Sequence, residues 1–389
     1  MSFPTLAEIL AAVSLVIWLV LFFFWGNFWR IWESDADRMS VPTLTTWPSV
    51  TAVIPARNEA GSIAPVVTSL AAQGYAGEFS VIIVDDHSED ATAELARKAA
   101  IESGAAARFQ IISAPELAPG WTGKLWALNS GMASAENPSP EFFWFTDADV
   151  IHPPDTLRRL VHLSQSDNHD LISLMVLLES RTFAERLLIP AFLYFFLMLY
   201  PPNWISSPRA STAGAAGGCI LLRRSALARI GGLAAIRSEI IDDCSLARAV
   251  KHSGGKVWMG LTRASRSLRS YSGWAEIRDL IARTAFTQLR YSAFQLVGTL
   301  IGLAITFLVP TVLTFAPGPR IWLPALLAWC VMTASFLPTI TFYRLSPLWA
   351  PFLPLSALFY SYATLLSALR YWSGRGGEWK GRSQATPSL

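Results

Sequence analysis

Cysteine is scarce: Cys219, Cys244 and Cys330 are the only three in 389 residues, far apart and without a Cys-x-x-Cys or Cys/His spacing. An odd, scattered set argues against a disulfide framework or a zinc site, and makes a reducing cytosol the default surroundings of the soluble part. Charge is scarce as well. Only 15% of residues are Asp, Glu, Lys or Arg, the formal net charge is +3, and the basic residues form no long block, so no nucleic-acid partner is expected. The first β-branched run, 49–55, is not followed by Gly-x-Gly-x-x-Gly, which disfavours a dinucleotide-binding Rossmann domain. Three apolar segments near the C-terminus, 296–315, 322–343 and 348–369, contain no acidic residue. A membrane transporter with a regulatory nucleotide domain, which needs ionisable groups inside its bundle, is therefore a distant alternative.

What the chain has in quantity is apolar surface. Hydrophobic residues make up 52% of it, too many for an ordinary soluble protein and too few for one lying wholly in a bilayer. A globular domain plus several spans follows. Residues 6–29 carry one charge, Glu8, and lack a signal-peptide cleavage pattern, so 1–30 reads as a retained transmembrane anchor whose cytoplasmic end is marked by Arg30 and Arg38. A linker is expected over 31–48, about three C-terminal transmembrane helices over 293–372 and a flexible tail over 373–389. The side on which the tail emerges stays open: Arg370, Arg375, Lys380 and Arg382 prefer the inside, three crossings would place them outside, and Pro351 and Pro354 would suit a bent last segment. The run 187–200 is apolar but short, with Pro190 inside it and Pro201-Pro202 after it. It is expected to lie in the membrane interface rather than in the core.

Residues 49–292 alternate strand and helix patterns, which predicts an α/β domain with a mostly parallel, doubly wound sheet. The run Phe142-Phe143-Trp144-Phe145-Thr146-Asp147-Ala148-Asp149 reads as a buried strand ending in two carboxylates. Alternation along a strand points Asp147 and Asp149 the same way, beyond the carboxyl end where open α/β sheets bind ligands. Two hard oxygen donors there suit Mg²⁺ or Mn²⁺ on a diphosphate, although a post-strand turn is rich in Asp for backbone reasons alone. Pro55-Ala56-Arg57-Asn58-Glu59 follows the first strand, Asp85-Asp86-His87-Ser88-Glu89-Asp90 the second, Lys124 opens a helix, and Asp242-Asp243 stands at another helix start, where a cap is the simpler reading.

In that order these elements resemble the inverting family 2 glycosyltransferases, whose fold is a GT-A nucleotide-diphospho-sugar transferase domain. With the apolar N- and C-terminal segments and Trp379-Lys380-Gly381-Arg382, the chain is most similar to the membrane-bound, hopanoid-biosynthesis-associated branch in bacteria. The resemblance implies a donor site of Pro55, Arg57, Glu59, Asp86, Lys124, Asp147 and Arg290, with Asp86 on the uracil ring and Lys124 by the diphosphate. It implies Asp147 and Asp149 as ligands of Mg²⁺ or Mn²⁺, and Asp243 as general base. The implied activity is metal-dependent, inverting transfer of a single sugar from a nucleotide-diphospho-sugar, a UDP-sugar by preference, to a membrane lipid hydroxyl. The place implied is the bacterial inner membrane, with the catalytic domain facing the cytoplasm and the bilayer as a partner. A polyprenyl-phosphate acceptor is the alternative.

Two departures bear on this. The acceptor-side pair is Asp242-Asp243 where the family more often has Glu-Asp, and Gln288-Leu289-Arg290-Tyr291 is shorter than the Gln-x-x-Arg-Trp of polymerising members, which favours one sugar over a polymer. Arg290 is equally well read as a positive residue flanking the next span. His152, just after the Asp-x-Asp, is either a further metal or diphosphate contact or an ordinary loop residue, and Cys219 reads as a small packing residue.

Overall fold

The computed structural model describes residues 3–31, 46–135, 139–374, 376, 378–379 and 382–383. Most of the expected linker lies outside these, as do Arg38, Arg375, Lys380 and Gly381. The chain opens with the unbroken apolar helix α1 (Phe3–Phe24), followed by β1 (Val50–Ala56), α2 (Ile63–Ala71), β2 (Phe79–Asp85), α3 (Thr92–Glu102), β3 (Phe109–Ser113), α4 (Gly123–Ser134) and β4 (Phe142–Thr146). Next come β5 (Val150–Ile151), α5 (Thr156–Asp167), β6 (Leu171–Leu177), α6 (Phe183–Leu199), α7 (Pro202–Ser206), β7 (Cys219–Arg223), α8 (Arg224–Arg229), α9 (Asp242–His252) and β8 (Val257–Ser267). The helices α10 (Trp274–Gln288), α11 (Ala293–Leu303), α12 (Val309–Leu313), α13 (Pro319–Phe342) and α14 (Leu353–Trp372) lead to a small ladder, Glu378–Trp379 against Arg382–Ser383.

The chain divides into two compact units. One comprises Trp32–Glu179, Trp204–Arg269 and Glu378–Leu389, and holds the sheet. Its strand order is β3-β2-β1-β4-β7-β6-β8-β5. The run β3-β2-β1-β4 is parallel throughout, β7 runs against both β4 and β6, β8 is parallel to β6, and β5 is antiparallel to β8. β1 and β4 are buried along their whole length, as continuous Val, Ile and aromatic runs require when both sheet faces are covered. α4 lies so close to β1 and β2 that a Cβ on Gly131 would sit 2.5 Å from Val53 and 2.8 Å from Val84. From β1 the chain moves to β2 on one side and returns to β4 on the other. Their carboxyl ends therefore frame a topological switch point, the crevice where such sheets take ligands.

The other unit comprises Met1–Ile31, Ser180–Asn203 and Ser270–Gly377. Among the described residues, five helical stretches are long and apolar enough to cross a membrane: Thr5–Phe24, Phe183–Ser206, Ala293–Leu313, Pro319–Phe342 and Pro347–Trp372. The second exceeds the run read from sequence because Thr182 and Glu185 form a capping box that starts α6 at Phe183. Glu185 also accepts from Tyr271 N–H at 2.8 Å, tying the start of α6 to the residues ahead of α10. Pro190 lacks an N–H and loosens the turn before it, where Ser356 Oγ donates to Leu187 O at 2.8 Å and Tyr360 OH to Leu188 O at 3.0 Å. Between α11 and α12 the helix makes a π turn, Ala304–Leu308. Ser14 donates to Ile305 O there, and Trp18 Nε1 to Thr306 O at 2.7 Å.

Candidate active site

The loops after β1 and β2 are locked to one another. Arg57 donates to the carbonyls of Asp86 (2.6 Å) and His87 (3.2 Å). Asn58 N–H donates to Ser88 Oγ at 3.0 Å, Glu89 N–H to Asn58 Oδ1 at 2.9 Å, Glu59 N–H to Thr92 Oγ1 at 2.7 Å and Ala60 N–H to Asp90 Oδ2 at 3.1 Å. Most polar residues of both motifs thus shape the backbone, and Arg57 acts as a clamp on the segment that carries Asp86. Asp86 itself is 1% exposed, and its N–H donates to Ala56 O at 2.8 Å.

At the end of β4 a pocket is lined by Pro55, Lys124, Asp147, Gly217, Asp242 and Asp243, backed by Leu125, Phe145 and Ile220. Lys124, in the first turn of α4, lies 2.8 Å from Asp147 and 3.8 Å from Asp242. Burial acts to lower its pKa, but Asp147, Asp242 and Asp243 outweigh that and leave the ammonium above its ordinary value. Asp243 Oδ2 accepts from Gly217 N–H at 2.9 Å and its Oδ1 from Cys244 N–H at 2.7 Å. Burial pushes its carboxyl up to about 6, with Asp242 adding to the rise and Lys124 and the two N–H donors opposing it. Gly217 packs closely against the site: a Cβ there would stand 3.1 Å from Lys124 Nζ and 3.4 Å from Asp243 Oδ2, so those side chains would have to give slightly.

Asp149 follows two residues after Asp147. Ser267 Oγ donates to Asp149 Oδ2 at 3.3 Å. Burial, then the charges of Asp147 and Glu59, push Asp149 up to about 6, against Arg269 and Ser267. Among the described residues no three His, Cys, Asp or Glu side chains form a complete metal cage. The donor set fits a different kind of site: mutually repelling Asp147 and Asp149 suit a divalent ion whose other ligands are substrate oxygens and water, the usual arrangement for Mg²⁺ on phosphates. His152 is not part of it. The ring is 5% exposed, with Nε2 at 2.8 Å from Thr146 Oγ1 and Nδ1 at 2.9 Å from Ser265 Oγ, and burial pushes its pKa down to about 3. Thr146 donates to Gly218 O at 3.0 Å, so Nε2 carries the hydrogen toward Thr146 and Nδ1 accepts from Ser265. A neutral hydrogen-bond chain thus ties β8 to the last residue of β4 and to the Gly217-Gly218 turn.

The structure brings Pro55, Lys124, Asp147 and Asp243 to one pocket and couples Glu59 and Asp149 electrostatically beside it. Arg290 belongs to the helical unit, exposed in a turn with φ of +50°. The sequence reading missed Ser267, Arg269, Thr146 and Ser265. The run Ser265-Arg266-Ser267-Leu268-Arg269, polar at the end of a strand, was the available signal.

Residues 51–231 match the family profile described as Glycosyl transferase family 2. The chain carries a glycosyl transferase family 2 domain. Among solved structures, the mannosyltransferase PcManGT from Pyrobaculum calidifontis, in complex with GDP-Man and Mn²⁺, is similar over 93% of this chain and 99% of its own, with a TM-score of 0.57 and 17% identity. At that identity the likeness is one of fold. The family 2 domain has the GT-A fold, α/β with a mostly parallel sheet, accompanied by terminal helices apolar enough to span a membrane. S. aureus TarS (14% identity, 74% of this chain, 54% of that chain, TM-score 0.41) and M. tuberculosis glucosyl-3-phosphoglycerate synthase (21% identity, 60% of this chain, 78% of that chain, TM-score 0.37) are less similar. No curated protein matches the sequence.

Proposed function

We propose that the protein is an inverting glycosyltransferase that moves one sugar from a nucleoside-diphosphate sugar, a UDP-sugar by preference, to the hydroxyl of a membrane lipid. The observation that carries this is Asp243: a half-buried carboxyl with its pKa raised to about 6, held beside Lys124 in the pocket at the switch point. A base tuned near working pH is the group a hydroxyl acceptor needs. Asp243 takes the acceptor proton as the oxygen attacks the anomeric carbon from the face opposite the diphosphate. The bond from that carbon to the diphosphate breaks, the nucleoside diphosphate departs and the configuration inverts. Lys124 binds the diphosphate as a fixed positive charge. Asp86 accepts the uracil imide N–H, and Arg57, Glu59 and Pro55 hold the donor loops in register. Asp147 and Asp149 would hold Mg²⁺ or Mn²⁺, which when bound neutralises charge on the leaving group.

A lipid acceptor is supported by the five apolar helices, and a hopanoid-related one by the resemblance to that branch. The setting proposed is the bacterial inner membrane, with the family 2 domain in the cytoplasm. The test is transfer of radiolabel from UDP-sugars, and from GDP-mannose, the donor in the PcManGT complex, by the purified protein in detergent with bacterial lipid extract. Mn²⁺-dependent label in the lipid phase supports the proposal. Asp243→Asn separates acceptors: a polyprenyl phosphate is already ionised and needs no base, so near-normal turnover of this variant would remove the hydroxyl reading.

A further inference from the structure

The strand β6 is apolar but for one residue. In Leu171-Ile172-Ser173-Leu174-Met175-Val176-Leu177 the third side chain is a hydroxyl wholly shut off from solvent. A buried hydroxyl is costly unless it is hydrogen-bonded, and Ser173 finds both its partners on one residue. Ala216 N–H donates to Ser173 Oγ at 2.7 Å, and Ser173 Oγ donates to Ala216 O at 3.1 Å.

The carbonyl of Ala216 and the N–H of Gly217 belong to one peptide unit. Such a unit is a rigid plane, and in its trans form the C=O and N–H point opposite ways. Holding the oxygen at Ser173 therefore aims the hydrogen away from it, and that N–H donates to Asp243 Oδ2 at 2.9 Å. The plane needs holding because Gly217 and Gly218 follow it, and glycine leaves the backbone free to rotate. A flipped plane would turn a carbonyl oxygen toward Asp243 where the N–H now stands. On the far side of the turn the buried Thr146 hydroxyl donates to Gly218 O at 3.0 Å. Two buried hydroxyls, one from β6 and one from β4, thus bracket the peptide that meets Asp243 Oδ2.

We infer that Ser173 is a positioning residue for the general base, fixing the orientation of the Ala216–Gly217 peptide so that Gly217 N–H meets Asp243. The inference rests on the reading of Asp243 as that base. An N–H donor favours the ionised carboxyl, so its loss raises the pKa and leaves less base at a given pH. The charged neighbours of Asp243, Asp242 on α9 and Lys124 on α4, are untouched by a change at Ser173.

The test is kcat/KM against pH for the full-length protein in detergent, with bacterial lipid extract and whichever of the UDP-sugars or GDP-mannose it transfers. An infrared titration runs beside it, the Asp243 carboxyl band being assigned by its loss in Asp243→Asn. Ser173→Ala should move the acid limb and the infrared midpoint up by roughly one unit, the worth of one hydrogen bond to a charge, and cut transfer about tenfold on the acid side. Thr and Val share a shape and differ in the hydroxyl, so Ser173→Thr should keep the parent limb and Ser173→Val should shift it. Ser164, whose Oγ donates to His169 O at 2.7 Å, is the structural comparison: Ser164→Ala should lower the thermal midpoint and leave the limb in place. A limb that stays put in Ser173→Ala and Ser173→Val, or that moves equally in Ser164→Ala, would overturn the inference and leave Asp243 as base. Unchanged turnover in Asp243→Asn would remove the base reading instead, and the infrared midpoint would still decide whether Ser173 aims the N–H.

Discussion

The two units answer the same problem, polar groups with little access to water, by opposite means. In the sheet unit the half-buried groups at the site are ions, and ions answer them: Lys124 sits among Asp147, Asp242 and Asp243, and Asp149 between Glu59 and Arg269. The fit is deliberately imperfect, since two carboxyls are left near a pKa of 6. In the helical unit carbonyls near Pro190 and in the π turn accept from neutral donors, Ser356, Tyr360, Ser14 and Trp18. A hydroxyl or indole satisfies a carbonyl without importing a charge that a hydrocarbon solvent would penalise. Tunable chemistry is confined to the side that has charge to tune.

Four substitutions would break or sharpen that contrast. Asp243→Asn should lower transfer by ~10²–10⁴-fold, the usual worth of a general base, with donor binding retained in equilibrium titrations. In the parent protein kcat/KM should fall as pH drops through about 6, because the base acts only when ionised. Lys124→Met should cost roughly 10–100-fold, as losing a charged hydrogen bond does. Since the ammonium favours ionised Asp243, its removal should also move that acid limb to higher pH. Thr146→Val tests the neutral exception inside the sheet unit: it strands His152 Nε2–H, and a fall of about 1–3 kcal/mol in unfolding free energy is expected. Ser356→Ala in the helical unit should cost least, ~0.6 kcal/mol, the average for such bonds between membrane helices, read as a small drop in thermal midpoint.

The parts of the site that sequence revealed are those built from neighbours along the chain. A strand ending in Asp147 and Asp149, a helix opening with Lys124, and motif loops directly after β1 and β2 are all local patterns whose period and end are visible. Asp243 was visible as a pair at a helix start, yet its meeting with Gly217 N–H joins positions far apart in sequence. Ser265, Ser267 and Arg269 stayed hidden for the same reason. They reach the site only because two-residue β5 pairs with β8 over more than a hundred intervening residues, and no local signal encodes that pairing. The apolar run 187–200 is read from hydrophobicity alone, whereas the Thr182/Glu185 box, itself readable, starts α6 at Phe183. Arg57 was legible as a motif member but not as a clamp, since its partners are backbone carbonyls of the next loop.

Each unit is assembled from three separate stretches of chain, and this orders events during synthesis. When Arg269 leaves the ribosome, every strand of the eight-stranded sheet exists, but the helical unit has only α1 and α6. The sheet unit can therefore complete its core first, as domains emerging early generally do, while two apolar helices wait for α10–α14 to cover them. A stop codon just after β8 would thus leave an intact sheet attached to two stranded hydrophobic segments, a species prone to aggregate rather than a soluble domain.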